Sequence, residues 1–123
     1  MSTLTFMTRL RGLFGRTEED GRLGARVDAA RAVDLVRSGA ALLDVRERAE
    51  WRTGHAPQAV NIPLGQLDEA PQRLQKTGPV LVVCASGMRS RAAAKQLRRQ
   101  GYEAASIAGG MGAWQAAGGA VRR

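Results

Sequence analysis

From about Arg26 onward, short apolar runs alternate with stretches of helical periodicity. Ala41-Leu42-Leu43-Asp44-Val45, Ala59-Val60-Asn61-Ile62 (closed by Pro63), Pro79-Val80-Leu81-Val82-Val83 and Ala104–Ala108 are near-continuous apolar segments, and their length and flanks fit buried strands. Helical patterns lie between them. Asp28 can cap a helix over Ala29–Arg37 that Ser38-Gly39 stops. Glu47–Thr53 predicts a brief helix ended by Gly54, and Leu64–Leu74 predicts a longer one. Met88–Gln100 predicts a helix with Gly101 behind it, and Met111–Ala117 a last short one. Unbroken strands separated by helices imply βα units around a mostly parallel sheet, an α/β class. In such sheets ligands bind beyond the carboxyl ends of the strands.

Residues 1–24 have a different character. Leu4, Phe6, Met7, Leu10, Leu13 and Phe14 recur near helical spacing, with Arg9, Arg11 and Arg16 among them. Gly12 and Gly15 weaken that helix, and Thr17–Gly24 is polar enough for a linker. The chain therefore divides into an N-terminal extension, 1–24, and a domain, 25–123. Two readings of the extension stay open. One is a tail or short helix docked on the domain or on another subunit. The other is a basic amphipathic segment lying on a membrane surface. The 123 residues amount to one domain. No apolar run is long enough to span a bilayer and no secretory h-region opens the chain, so a cytoplasmic protein is expected.

Charge alters this picture little. The formal net charge is +8 and the pI about 11.4, values that raise binding to nucleic acid or an acidic membrane. Only Lys76 and Lys95 among the basic side chains are lysines, however, and the arginines are spread along the chain without interleaved aromatics. No nucleic-acid partner is expected. The consequence that remains is a positive surface able to attract small anions.

Cys84 is the single cysteine, which excludes an intramolecular disulfide and any zinc site built on paired cysteines. With one histidine besides, no metal site is expected. Cys84 stands at the carboxyl end of the Pro79–Val83 run and just before the Met88–Gln100 helix, where an α/β site belongs. A thiolate is a strong nucleophile, but an ordinary cysteine with pKa ~8.5 is mostly protonated at neutral pH. The unpaired N–H groups and positive dipole end of the following helix favour the thiolate, and Arg89 and Arg91 add charge nearby. Ser86, Gly87 and Met88 can turn successive N–H groups inward as an anion nest. Against this stands the plain alternative of a small core hydrophobe at the end of a buried strand.

Three segments carry a resemblance. Leu42–Glu47, then Trp51, Gly54-His55-Ala56-Pro57 and Ala59–Leu64 are similar to the first signature of single-domain rhodaneses, which are sulfurtransferases. Cys84-Ala85-Ser86-Gly87-Met88-Arg89-Ser90 resembles their active-site loop, and Gly109-Gly110-Met111-Gly112-Ala113-Trp114 their closing glycine–tryptophan motif. The resemblance covers residues 26–119. It implies a five-stranded parallel sheet flanked by helices on both faces. It also implies that Cys84 takes the outer sulfur of a small anionic donor and passes it from a persulfide to cyanide or a thiol. The resemblance implies no cofactor. Four residues separate Cys84 from Arg89, whereas cysteine-dependent phosphatases of similar fold have one more; the shorter loop suits a sulfur atom better than a phosphate. Ala85 stands where many thiosulfate-using members carry a basic or polar side chain, so a persulfide donor stays open beside thiosulfate. Met88 is large for its position and able to narrow the pocket, and Gln58 replaces a frequent glycine.

Supporting residues have two readings each. Asp44 and Arg46 either reach the active-site loop, as the resemblance implies, or brace the strand–helix turn as an ion pair. His55 is either a general base or a hydrogen-bonded structural group. Arg89 is the candidate for electrostatic support of the thiolate, with a purely structural role as its alternative. Trp51 and Trp114 are expected to pack in the core under loops. Two function classes follow: an enzyme acting through Cys84, or a rhodanese-like sulfur-carrier or regulatory module with little turnover. A protein that accepts the sulfur is a further possible partner.

Overall fold

The computed structural model describes residues 23–123. Residues 1–22 of the N-terminal extension, 1–24, lie outside the described ones, and with them the apolar and basic positions on which its two readings rest. The order of elements is β1 (Arg26–Val27), α1 (Ala29–Arg37), β2 (Ala41–Asp44), α2 (Arg48–Trp51), β3 (Val60–Asn61), a 3-10 segment (Leu64–Glu69), α3 (Ala70–Arg73), β4 (Pro79–Val83), α4 (Met88–Arg99), β5 (Glu103–Ile107) and α5 (Gly110–Ala116). The five strands form one parallel sheet in the order β1-β5-β4-β2-β3.

Side-chain alternation divides the core between the two faces of this sheet. Leu43, Val80, Val82, Cys84 and Ala104 meet Leu67, Ala70 and Leu74 together with Ala93, Ala94 and Leu97 of α4. Leu42, Leu81, Val83, Ala105 and Ile107 meet Ala32, Val33 and Val36 of α1 and Trp114 of α5. Strands buried on both faces are apolar at every position, which is why β4 has no polar alternation. Asp28 caps α1 as expected, its carboxylate accepting from the Arg31 N–H at 2.8 Å.

Two elements and one side chain differ from the sequence expectation. β1 was not anticipated. It is two residues long and owes its strand geometry to pairing with Ser106 and Ile107. The helix expected over Leu64–Leu74 is a 3-10 segment that breaks at Gln66 (φ −120°, ψ 22°) before the single turn of α3. Trp51 is only half-buried and stacks on the His55 ring with centroids 3.6 Å apart, outside the core; Trp114 is buried as expected.

Candidate active site

Cys84 follows the last residue of β4, at the carboxyl edge of the sheet, and its side chain is buried. The chain then rises over the sulfur. Ala85, Ser86 and Met88 are exposed, whereas Gly87 and Ser90 are buried. Gly87 is the residue that ends this arc, with φ +112° immediately before the first turn of α4. That conformation costs glycine nothing and is strained for any residue with a Cβ. It turns the Gly87 N–H onto the Cys84 Sγ at 3.0 Å, and the first turn of α4 adds the Ser90 N–H at 3.3 Å. The Cys84 thiol donates to the Ser90 Oγ at 3.5 Å. Burial, the largest influence, pushes the Cys84 thiol up. Hydrogen bonds from the Ser90 hydroxyl and from the N–H groups of Ser90, Gly87 and Ser86 outweigh it, and the pKa lies below the ordinary value.

A second glycine sets the height of the loop. Gly110, at φ +65°, opens α5 directly beneath it, and a Cβ there would lie 2.2 Å from the Ala85 carbonyl oxygen and 2.7 Å from that of Cys84. The Met111 N–H donates to the Cys84 carbonyl at 2.9 Å, so α5 supports the loop from below. Trp114 anchors α5 in turn. It is buried, and its Nε1 donates to the Ala120 carbonyl at 3.0 Å.

The other expected residues take distinct places. Arg89 is half-exposed and holds Glu50 through two bonds, Nη1–Oε1 at 2.7 Å and Nη2–Oε2 at 2.9 Å. The Arg89 guanidinium, followed by burial in the opposite direction and the Glu47 N–H, brings the Glu50 carboxyl down to about 2. Glu50, which the sequence reading missed, thereby ties α2 to the first turn of α4. Asp44 is fully buried and binds Arg46 through Nε at 3.0 and 3.1 Å and Nη2 at 2.8 Å. Arg46 also donates to the carbonyls of Gly54 at 2.8 Å and Glu50 at 3.4 Å. The bonds of the pair thus run within the segment from β2 to Gly54, and Arg46 touches the Glu50 carbonyl. His55 donates from Nδ1 to the Trp51 carbonyl at 2.8 Å and exchanges two backbone bonds of 2.8 Å with Arg122. These bonds tie His55 to Trp51 and to the C-terminal residues. Met88 stands out into solvent, 70% exposed, and does not fill the loop.

Behind the loop the sequence reading missed one more residue. Ser106 of β5 is buried, and its Oγ lies 2.7 Å from that of Ser90. Nothing local marks it, because a serine within an otherwise alanine- and isoleucine-rich strand shows no periodic or motif signal.

A parallel sheet with a buried cysteine at its carboxyl edge, under a loop whose N–H groups converge on the sulfur, defines an α/β protein with its candidate site at that cysteine. The family model described as the rhodanese-like domain matches residues 28–117, and the chain belongs to this family. The Bacillus subtilis protein named "Putative sulfurtransferase YtwF" is 42% identical over 74 residues, 60% of this chain and 72% of that one. Another from Bacillus subtilis, "Putative sulfur carrier protein YrkF", is 35% identical over 74 residues, 59% of this chain but only 40% of its own length. The crystal structure of a rhodanese-related protein from Thermoplasma volcanium superposes with a TM-score of 0.72 at 30% identity, covering 80% of this chain and 98% of that one. Among the described residues no helix is long and apolar enough to cross a membrane.

Proposed function

We propose that the protein is a sulfurtransferase that carries a sulfane sulfur as a persulfide on Cys84. The observation that carries this reading is the convergence on one sulfur of the Gly87 N–H and the Ser90 N–H, at 3.0 and 3.3 Å, with the Ser90 Oγ that accepts from the thiol at 3.5 Å. In the first step the Cys84 thiolate attacks the outer sulfur of thiosulfate or of a small persulfide. The donor's S–S bond breaks, sulfite or a thiolate leaves, and Cys84 carries the new S–S⁻ group. In the second step cyanide or a thiolate attacks the terminal sulfur. Thiocyanate or a new persulfide leaves and the Cys84 thiolate returns. The N–H groups and hydroxyl stabilise the sulfur-borne charge in each state, which is electrostatic preorganisation. The chain has no second cysteine to resolve the persulfide, so the acceptor comes from outside, as a small thiol, cyanide or a sulfur-accepting protein.

The test is the intact mass of the full-length protein after thiosulfate and again after cyanide, with thiocyanate assayed. One added sulfur, removed by cyanide with thiocyanate formed, is the expected result. Cys84→Ser is expected to remain folded and take up no sulfur; an adduct on that variant would refute the mechanism. If glutathione persulfide loads the protein and thiosulfate does not, the absence of a basic side chain at Ala85 explains the preference. The second reading, a sulfur carrier with little turnover, is favoured by the complete burial of the Cys84 side chain. Its mark in the same experiment is an adduct that forms but is not released to cyanide or small thiols.

A further inference from the structure

The proton positions around Ser90 follow from its partners. The Gly87 carbonyl, 3.1 Å from Ser90 Oγ, can only accept, so the single Ser90 hydroxyl proton is directed to it. The Cys84 thiol donates to the same Oγ. The remaining neighbour, Ser106 Oγ at 2.7 Å, must then be a donor as well. Ser90 is the only partner of this hydroxyl among the described residues, so the assignment also satisfies the one buried proton that Ser106 carries.

This arrangement changes when the thiol proton is lost to water. The sulfur then accepts, and the Ser90 hydroxyl can swing from the Gly87 carbonyl to the sulfur without moving its oxygen. The Gly87 carbonyl is not stranded, because it still receives the Arg91 N–H at 3.3 Å. Ser106 keeps donating to Ser90 throughout. A hydroxyl that accepts one bond donates a stronger one, because each bond polarises the next. We propose that Ser106 is a positioning residue for Cys84: by donating to Ser90 it frees and polarises the Ser90 proton for the charged sulfur. The proposal deepens the sulfurtransferase reading, since thiolate and persulfide are the two states that need this donor.

The charged groups on the elements around Cys84 leave a substitution at Ser106 cleanly readable. Arg89 of α4 is engaged with Glu50 of α2, and Asp44, the last residue of β2, is engaged with Arg46 just beyond it. On β5 the charged residue is Glu103, at the opposite end of the strand, where its carboxylate holds the Leu23 N–H at 2.8 Å.

The experiment is the pH dependence of iodoacetamide alkylation on the full-length protein, where a single cysteine gives a single signal. Ser106→Ala is expected to raise the Cys84 pKa by about half a unit, a roughly threefold loss of thiolate at pH values below it. Ser106→Thr, which keeps the hydroxyl, is expected to titrate like the parent. In a Ser90→Ala background Ser106→Ala is expected to add nothing, because the effect passes through Ser90. The proposal is overturned if Ser106→Ala titrates like the parent, if Ser106→Thr shifts as far as Ser106→Ala, or if the shift persists without Ser90. Alkylation needs no sulfur donor, so this outcome is independent of whether the protein transfers sulfur.

Discussion

At the residue scale the site depends on groups that satisfy one another. Glu50 illustrates it. Its carboxylate takes both Arg89 Nη groups and, through Oε1, the Glu47 N–H at 2.9 Å. A folded-state pKa of about 2, below the ordinary carboxyl value of 4.5, means that folding favours the ionised form. The sign follows: the stabilisation is fully present above the unfolded pKa and is lost as pH falls through the folded one. Both side chains are about a third exposed, 34% and 38%, so the pair contributes only about 0.2–1 kcal/mol after solvent screening. Glu50→Gln is expected to melt a few degrees lower than the parent at pH 7. The two melting curves converge between about pH 4.5 and pH 2, which thermal unfolding across that range measures. A difference that stayed constant to pH 2 would show that the carboxylate charge is not what matters.

At the scale of elements, the site is the place where three of them meet. β4 delivers the sulfur, α4 delivers the N–H groups, and α5 supports the loop. The contact that sets this geometry is backbone against backbone at Gly110, and only a residue without a Cβ permits it. Gly110→Ala adds about 1–2 kcal/mol for φ +65°, besides the displacement of the Cys84 and Ala85 carbonyls. The expected outcome is a lower melting temperature together with a raised Cys84 pKa, since lifting the loop withdraws the Gly87 N–H from the sulfur. A variant that lost stability while keeping its alkylation profile would place Gly110 in the packing alone.

At the scale of the whole molecule, both faces of the sheet converge on one loop. The face under α4 holds the cysteine. The opposite face, through Trp114, fixes the helix beneath that loop. The C-terminal residues close over the indole: a Cβ at Gly119 would lie 2.2 Å from the Trp114 ring, and Arg122 pairs with His55. Trp114→Ala is therefore expected to cost about 3–5 kcal/mol, with the loss measured by urea unfolding. Because α5 is the support of the loop, the alkylation profile of Cys84 is expected to move up to that of an ordinary thiol, pKa ~8.5, at denaturant concentrations where this region opens.

The sequence by itself determined what depends on local pattern. The uninterrupted apolar runs became β2, β4 and β5, the Asp28 cap began α1, and Gly87 marked the turn that puts Cys84 at a helix N-terminus. Period, cap and glycine are read within a few neighbouring residues, so no knowledge of the packing is needed. The tertiary structure alone decided the rest. Arg26 and Val27 are a strand because β5 pairs with them, not because two residues have a period. Leu64–Glu69 tightened into 3-10 geometry, with Leu67 buried against the sheet despite a pattern that suits an α-helix. Glu50 reached Arg89 across 39 residues of chain, and Ser106 reached Ser90 across 16. These contacts join elements brought together by burial of apolar surface, which has no direction along the chain. The identity of the partners was therefore decided by how the sheet was ordered and packed.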